Sequence, residues 1–462
     1  MKKIFLRRSS PLPSVNIVCS PCTAPAYVTW SSHRPMLTLA SLHALLLFTI
    51  LLGCGGGSTT LVVPNPDATV GLPTPSAASA SNTYSGGQSP GAWTFIVNHT
   101  SNTYTYRPIT YSTASTSGTF QSAHGFLQLG ADSSAGYAVE VPGRAAILRP
   151  GDSTTPPIFA VPQTQCYAIT GRVRFQYIGM QAGTFSNSFG GSAPTLGYGS
   201  VVASTDTTGK SWQFQSLQGN IVIGPGSFNG SCATSNDQAT ISFTGQQSIL
   251  NLLWTPNQVE APTAGTQSNI WIGPSGFFAS DQSDPTASSP TGASVAGIIE
   301  PTSALTTSSV TTQQYAGFFY QSATALGYNG TSPTITITSP IAFGQTASSG
   351  TSMTGGIYPN DDVSQTPEAN IVLTLGAQDA TYNGLYSSAT LTVLDPNQNC
   401  ANYTGGGSTA TTSLNAQGYV TCTFPAIVVA GNPENKYVLF VTSYNWAARI
   451  GGAPLQLYLV QQ

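Results

Sequence analysis

The sequence predicts an all-β protein: two antiparallel β-sandwich or small β-barrel domains behind a flexible tether. Period-two alternation recurs along the chain, with β-branched and aromatic residues at the alternating positions. Gly, Asn, Asp and Pro interrupt these runs where turns are needed. Apolar stripes at helical spacing are missing, and only Ser248 to Leu253 would suit a short helix. Charged residues make up 6% of the chain, so Ser, Thr, Asn, Gln and Gly supply the polar surface, as in exported β-rich proteins.

The first element is a leader over residues 1–53. Lys2, Lys3, Arg7, Arg8 and Arg34 precede the apolar stretch Leu37 to Leu52 with no acid among them, which suits a segment retained on the cytoplasmic side during export. The stretch has the length of an export-signal core and is short for a spanning helix. It ends in Leu51-Leu52-Gly53-Cys54 and a glycine run.

This ending resembles the lipobox of bacterial lipoproteins. The resemblance implies that diacylglycerol is joined to the Cys54 thiol, that the chain is cut before Cys54, and that a further acyl chain is added there. Two kinds of chain anchor stably where a single one is marginal. The partner so implied is the lipid bilayer. Gly55 in place of Asp after Cys54 implies, by resemblance to lipoprotein sorting in two-membrane bacteria, the outer membrane or cell surface. The alternative is an uncleaved anchor with Leu37 to Leu52 as its span. The junction, the tether and the low-charge β modules together resemble uncharacterised surface lipoproteins of Acidobacteria-like bacteria, which brings no activity with it.

Residues 54–91 are read as the lipidated cysteine and a disordered tether, because Gly, Ser, Thr, Pro and Ala cannot bury enough apolar surface to offset the entropy of ordering. A first β domain follows over 92–280. Its clearest strand signal runs from Cys166 to Tyr177, where Val173, Phe175 and Tyr177 share one face while Arg172, Arg174 and Gln176 take the other. Residues 281–312, rich in Ser, Thr and Pro, read as a linker. The second β domain, 313–462, repeats the strand signal at Thr334 to Ser339, Asn370 to Leu375, Ala389 to Leu394, Tyr437 to Val441 and Leu455 to Leu459.

Each domain holds two cysteines, so the economical disulfides are Cys166 with Cys232 and Cys400 with Cys422 in an exported protein. In the chain-entropy view they stabilise by about 4 and about 3 kcal/mol respectively. Four free buried thiols are the alternative.

Removing the five basic residues before Cys54 leaves eight Lys and Arg against sixteen Asp and Glu. That balance argues against nucleic acid, since phosphate binding needs grouped basic residues. Catalytic motifs are scarce. No GxSxG elbow is present, and His99 and His124 are the imidazoles of the mature chain. Glu140, Glu260, Glu300, Glu368 and Glu434 are scattered, although a pair across a cleft would suit a carbohydrate-active hydrolase. No cofactor is indicated beyond a candidate calcium loop at Asp395, Asn397 and Asn399, with Asp361-Asp362 a further oxygen-rich pair.

Trp271 and Trp446 are the candidate ligand-binding aromatics, since aromatic platforms suit sugar faces. The functional expectation is a membrane-anchored surface or periplasmic lipoprotein of non-catalytic role, engaged in adhesion, envelope organisation or binding of an extracellular glycan or envelope protein. The alternatives are the paired-carboxylate hydrolase and a purely structural envelope protein.

Overall fold

The structure, a computed structural model, describes residues 72–74, 78–88, 91–108, 114–132, 134–151, 155–186, 192–219, 227–235, 238–244, 267–283, 292–324, 334–344, 350–395, 411–414, 416, 418–443 and 455–462. These belong to one compact unit, Pro64–Gln462. The described residues are overwhelmingly β, as the alternation predicts.

The first eight strands are β1 (Ser81–Gln88), β2 (Gly91–Asn98), β3 (Thr103–Pro108), β4 (Thr116–Ala123), β5 (Phe126–Leu129), β6 (Gly136–Val141), β7 (Ala145–Pro150) and β8 (Ile158–Val161). Each pairs antiparallel with the next, and β8 returns to β1 to close a barrel. The second barrel comprises β9 (Val173–Ser186), β10 (Ser192–Thr205), β11 (Ser211–Gly219), β12 (Ser227–Ser235), β13 (Gln238–Thr244), β14 (Gln267–Ile272), β15 (Phe277–Ser283) and β16 (Gly292–Ile299). Its closure is the pairing of β16 with β9.

A short helix, α1 (Thr307–Thr311), leads into the third barrel. Its strands are β17 (Tyr315–Thr324), β18 (Thr334–Phe343), β19 (Ser352–Ile357), β20 (Ile371–Thr374), β21 (Leu385–Asp395), β22 (Thr411–Leu414), β23 (Val420–Gly431), β24 (Val438–Ser443) and β25 (Leu455–Gln461). Here β21 pairs with β23 and β25 with β17, closing a ring that leaves β22 as an added strand on β23 beyond the end of β24. Closed rings satisfy backbone donors and acceptors that an open sheet edge would leave unpaired.

Each barrel is filled by the inward half of its alternating residues, as an eight-stranded closure allows. Tyr84, Phe95, Leu129 and Leu148 pack inside the first. Phe175, Tyr177, Trp212 and Phe214 fill the second, so the predicted face of Val173, Phe175 and Tyr177 is the interior one. Leu455, Leu457 and Leu459 line the third, where Leu305 and Val310, before and within α1, join the same core.

A fourth core lies outside all three rings. Tyr137, Val139 and Phe159 of the first barrel, Ile178, Trp271 and Phe277 of the second, and Phe318, Phe440 and Tyr458 of the third face outward into one shared cluster. Strands bordering it are therefore buried on both faces: every residue of β7, β8 and β24 is buried. Fully burying each large apolar side chain there contributes about 1.5–3 kcal/mol.

Three boundaries differ from those the sequence suggests. The folded body begins inside the predicted tether, because β1 supplies the fully buried Tyr84 and closes the first ring. Residues 92–280 hold most of two barrels rather than one domain. The predicted linker at 281–312 contains the end of β15, all of β16 and α1, and its small Ala, Gly, Val and Ile residues are what close packing of a ring strand requires. The helix considered at Ser248 to Leu253 lies outside the described residues. Among the described residues, no helix is long and apolar enough to cross a membrane.

Candidate functional site

Among the described residues, the buried charged side chains Arg149, Arg174, Asp281 and Glu300 lie where barrels meet. Arg174 on β9 points away from the second barrel's interior, yet only 4% of its side chain is exposed. Its guanidinium is paired in a fork with the Glu300 carboxylate, through Nε and through Nη2 at 2.6 Å. The Tyr382 ring stacks with the guanidinium, 4.8 Å from Cζ to centroid, and Glu300 also accepts from the Asn383 backbone N–H at 2.8 Å. Gln176, two residues along β9, donates to the Asn383 carbonyl at 2.6 Å. Burial pulls the Arg174 pKa down from its ordinary value, with Tyr382 opposing. A water-excluded pair of this kind is valued for register: removing one partner strands the other charge.

The first and third barrels are joined similarly. Arg149 on β7 donates to Asp361 at 2.6 Å, and its guanidinium lies 5.8 Å from the Tyr137 ring centroid. His124, at the tight β4–β5 turn with φ 47°, places Nδ1 2.7 Å from the Val363 carbonyl. At the rim of the first barrel, Glu140 accepts from Tyr84 and from Asn82 Nδ2 at 3.3 Å, and its other oxygen is 2.8 Å from His99 Nε2. The Glu140 side chain is 3% exposed. Burial first, then the neighbouring Glu140 charge, drives the Tyr84 pKa well above the ordinary tyrosine value.

The residues singled out from sequence fall differently. Leu51, Leu52, Gly53 and Cys54 lie outside the described residues, as do Trp446, Asn397, Asn399 and Cys400. Asp395 ends β21. Cys166 and Cys232 form the expected disulfide, Cα–Cα 5.9 Å, tying the segment before β9 to β12. Cys422 is also disulfide-bonded. Trp271 is not an exposed platform. It sits in the shared core at 3% exposure and donates from Nε1 to Thr240 Oγ1 at 3.2 Å, because β14 turns it toward the neighbouring barrels.

Among the scattered carboxylates, Glu140 and Glu300 are each committed to the clusters above, and Glu368 accepts from Asn370 at 3.0 Å. Asp361 pairs with Arg149, while Asp362 accepts from Ser364 and Gln365 in its own turn. Among the described residues, no group of three or more His, Cys, Asp or Glu side chains converges to hold a metal.

One further group escapes sequence reading. Asp281 on β15 is fully buried, and among the described residues neither carboxylate oxygen has a hydrogen-bond partner. The short apolar run Phe277-Phe278-Ala279 leading into it is the available strand signal, obscured by the Pro- and Ser-rich residues that follow.

No protein-family model matches the chain, and no curated protein matches it. Among solved structures the chain is similar to the vaccine antigen Transferrin Binding Protein B of Haemophilus parasuis Hp5. A double mutant of that protein aligns at 7% identity and TM-score 0.28, covering 80% of this chain and 65% of that one. A single tryptophan mutant aligns at 8% identity and TM-score 0.25, covering 80% and 66%. The chain thus spans about two thirds of the length of those proteins.

Proposed function

We propose that the chain is a lipid-anchored envelope protein whose three-barrel body is a rigid, non-catalytic element for organising the envelope or adhering at its surface. The observation that carries this reading is the shared outward-facing core. Barrels that bury their outer faces against each other move as one piece, rather than as modules on hinges, while those joints stay closed. Arg174, Glu300, Arg149, Asp361 and His124 reinforce those joints, which is a use of charge suited to fixing geometry. Burial of Trp271 favours this structural role over aromatic capture of a glycan. The Leu51-Leu52-Gly53-Cys54 ending supplies the anchor, and the Gly- and Ser-rich residues after it suit a spacer.

The test is expression of the full precursor in a bacterium that processes lipoproteins, beside Cys54→Ser. The expected result is a membrane-fraction protein beginning at Cys54 and carrying diacylglycerol, with both processing and membrane retention lost in the variant. Wild-type protein that keeps the residues before Cys54 and lacks lipid would overturn the anchored reading.

A further inference from the structure

The second barrel meets the first where β15 lies across β1. At that contact Asp281 projects outward from the second ring: Phe278 and the strand partners Ile270 and Val295 belong to the interior, while Ala279 faces the shared core. Gly87 of β1 covers it so closely that a Cβ at Gly87 would collide with the Asp281 side chain. The carboxyl is 0% exposed, and among the described residues neither oxygen has a hydrogen-bond partner.

Among the described residues, the strands packed on Asp281 supply no countercharge. The elements packed around β15 are β1, β2, β8, β14 and β16, and none of them carries Lys, Arg, His, Glu or a second Asp. The one titratable side chain on β1, Tyr84, turns into the first barrel's interior core. The strand neighbours on the Asp281 row are Asn269 and Ser294, both neutral. An ionised carboxylate sealed from water without a partner is strongly disfavoured, whereas the protonated acid is merely an unpaired polar group.

We propose that Asp281 is an acid-held latch between the first two barrels: its protonated form lets β15 close onto β1, and loss of the proton loosens that contact. The direction follows from linkage. Burial raises the Asp281 pKa well above the ordinary aspartate value when the contact is closed. When it opens, water restores ordinary acidity and the proton leaves to solvent. Closure is therefore firmest below the ordinary aspartate pKa and weakens as pH rises towards the closed-state pKa, by about tenfold in the opening equilibrium per pH unit. For a protein on the outside of a cell, that would couple the joint to ambient acidity.

The test is hydrogen exchange of peptides from β1 and β15 in the full chain, from about pH 5 to about pH 8, with Asp281→Asn as the permanently neutral comparison. After correction for intrinsic exchange, the wild-type opening constant should climb relative to the variant by about tenfold per pH unit. Parallel behaviour of the two chains, or tighter wild-type closure at higher pH, would overturn the latch. Should Asp281→Asn fail to fold, the wild type alone decides. At neutral pH its infrared spectrum should contain a protonated carboxylic acid C=O band, and absence of any such band would sink the proposal.

Discussion

The ring of Phe159 meets that of Phe440 edge-on, with centroids 4.9 Å apart, and so joins the first barrel to the third. Phe159 also packs edge-on against Phe277 of the second barrel, centroids 5.9 Å apart. One side chain from β8 thus touches all three rings at a point that belongs to none of their interiors. Phe440→Ala should cost about 3–5 kcal/mol. Denaturant unfolding would measure it, and a loss below about 1 kcal/mol would mean that the shared core collapses around the missing ring.

The Arg174 and Glu300 pair should show the asymmetry of buried charges. Arg174→Ala alone should destabilise by about 3–5 kcal/mol, since Glu300 is left charged in a dry joint. The double change Arg174→Met with Glu300→Leu should cost much less than either single loss. Equal costs for single and double variants would show that packing of the Arg174 stem, rather than charge, sets the effect.

Opening the Cys166 to Cys232 disulfide should lower stability by about 4 kcal/mol in the chain-entropy view. Denaturation of Cys166→Ser together with Cys232→Ser, beside the wild type, measures this. The ring interior should otherwise persist, because Tyr167 still packs on Trp212 with centroids 5.8 Å apart and donates to the Ile272 carbonyl at 2.6 Å.

Alkaline conditions should unfold the body steeply. Burial raises the pKa values of Tyr84, Tyr167, Tyr177, Tyr315 and Tyr458, and pushes Tyr386 up to about 12. A folded-state pKa above the unfolded one contributes stability that is complete below the ordinary tyrosine pKa and is lost as pH rises through the folded value. Tyrosinate absorbance should therefore appear for these residues together with loss of near-ultraviolet dichroism. Their ionisation in a fully folded chain would contradict this.

Local alternation was legible from the residues themselves. Val173, Phe175 and Tyr177 enter a barrel interior as their spacing predicts, and the alternating leucines of β25 do the same. The number of rings was not legible, because closure depends on pairings such as β16 with β9 and β21 with β23 that no local pattern encodes. The linker-like composition of 281–312 has a physical source. A strand of Gly, Ala, Ser, Val and Ile that packs closely on both faces has the composition of a linker, and its Ser- and Pro-rich flanks reinforce the impression. Trp271 misled for a related reason: an aromatic beside Gly273 and Pro274 suits a loop platform and a strand end against another barrel equally well.

Calorimetry of the purified full chain tests most directly whether the three barrels are one solid body. One heat-absorption transition that contains all three rings, and shifts as a whole in Phe440→Ala, is the expected result. Separate transitions, with the substitution moving only that of the third barrel, would contradict it.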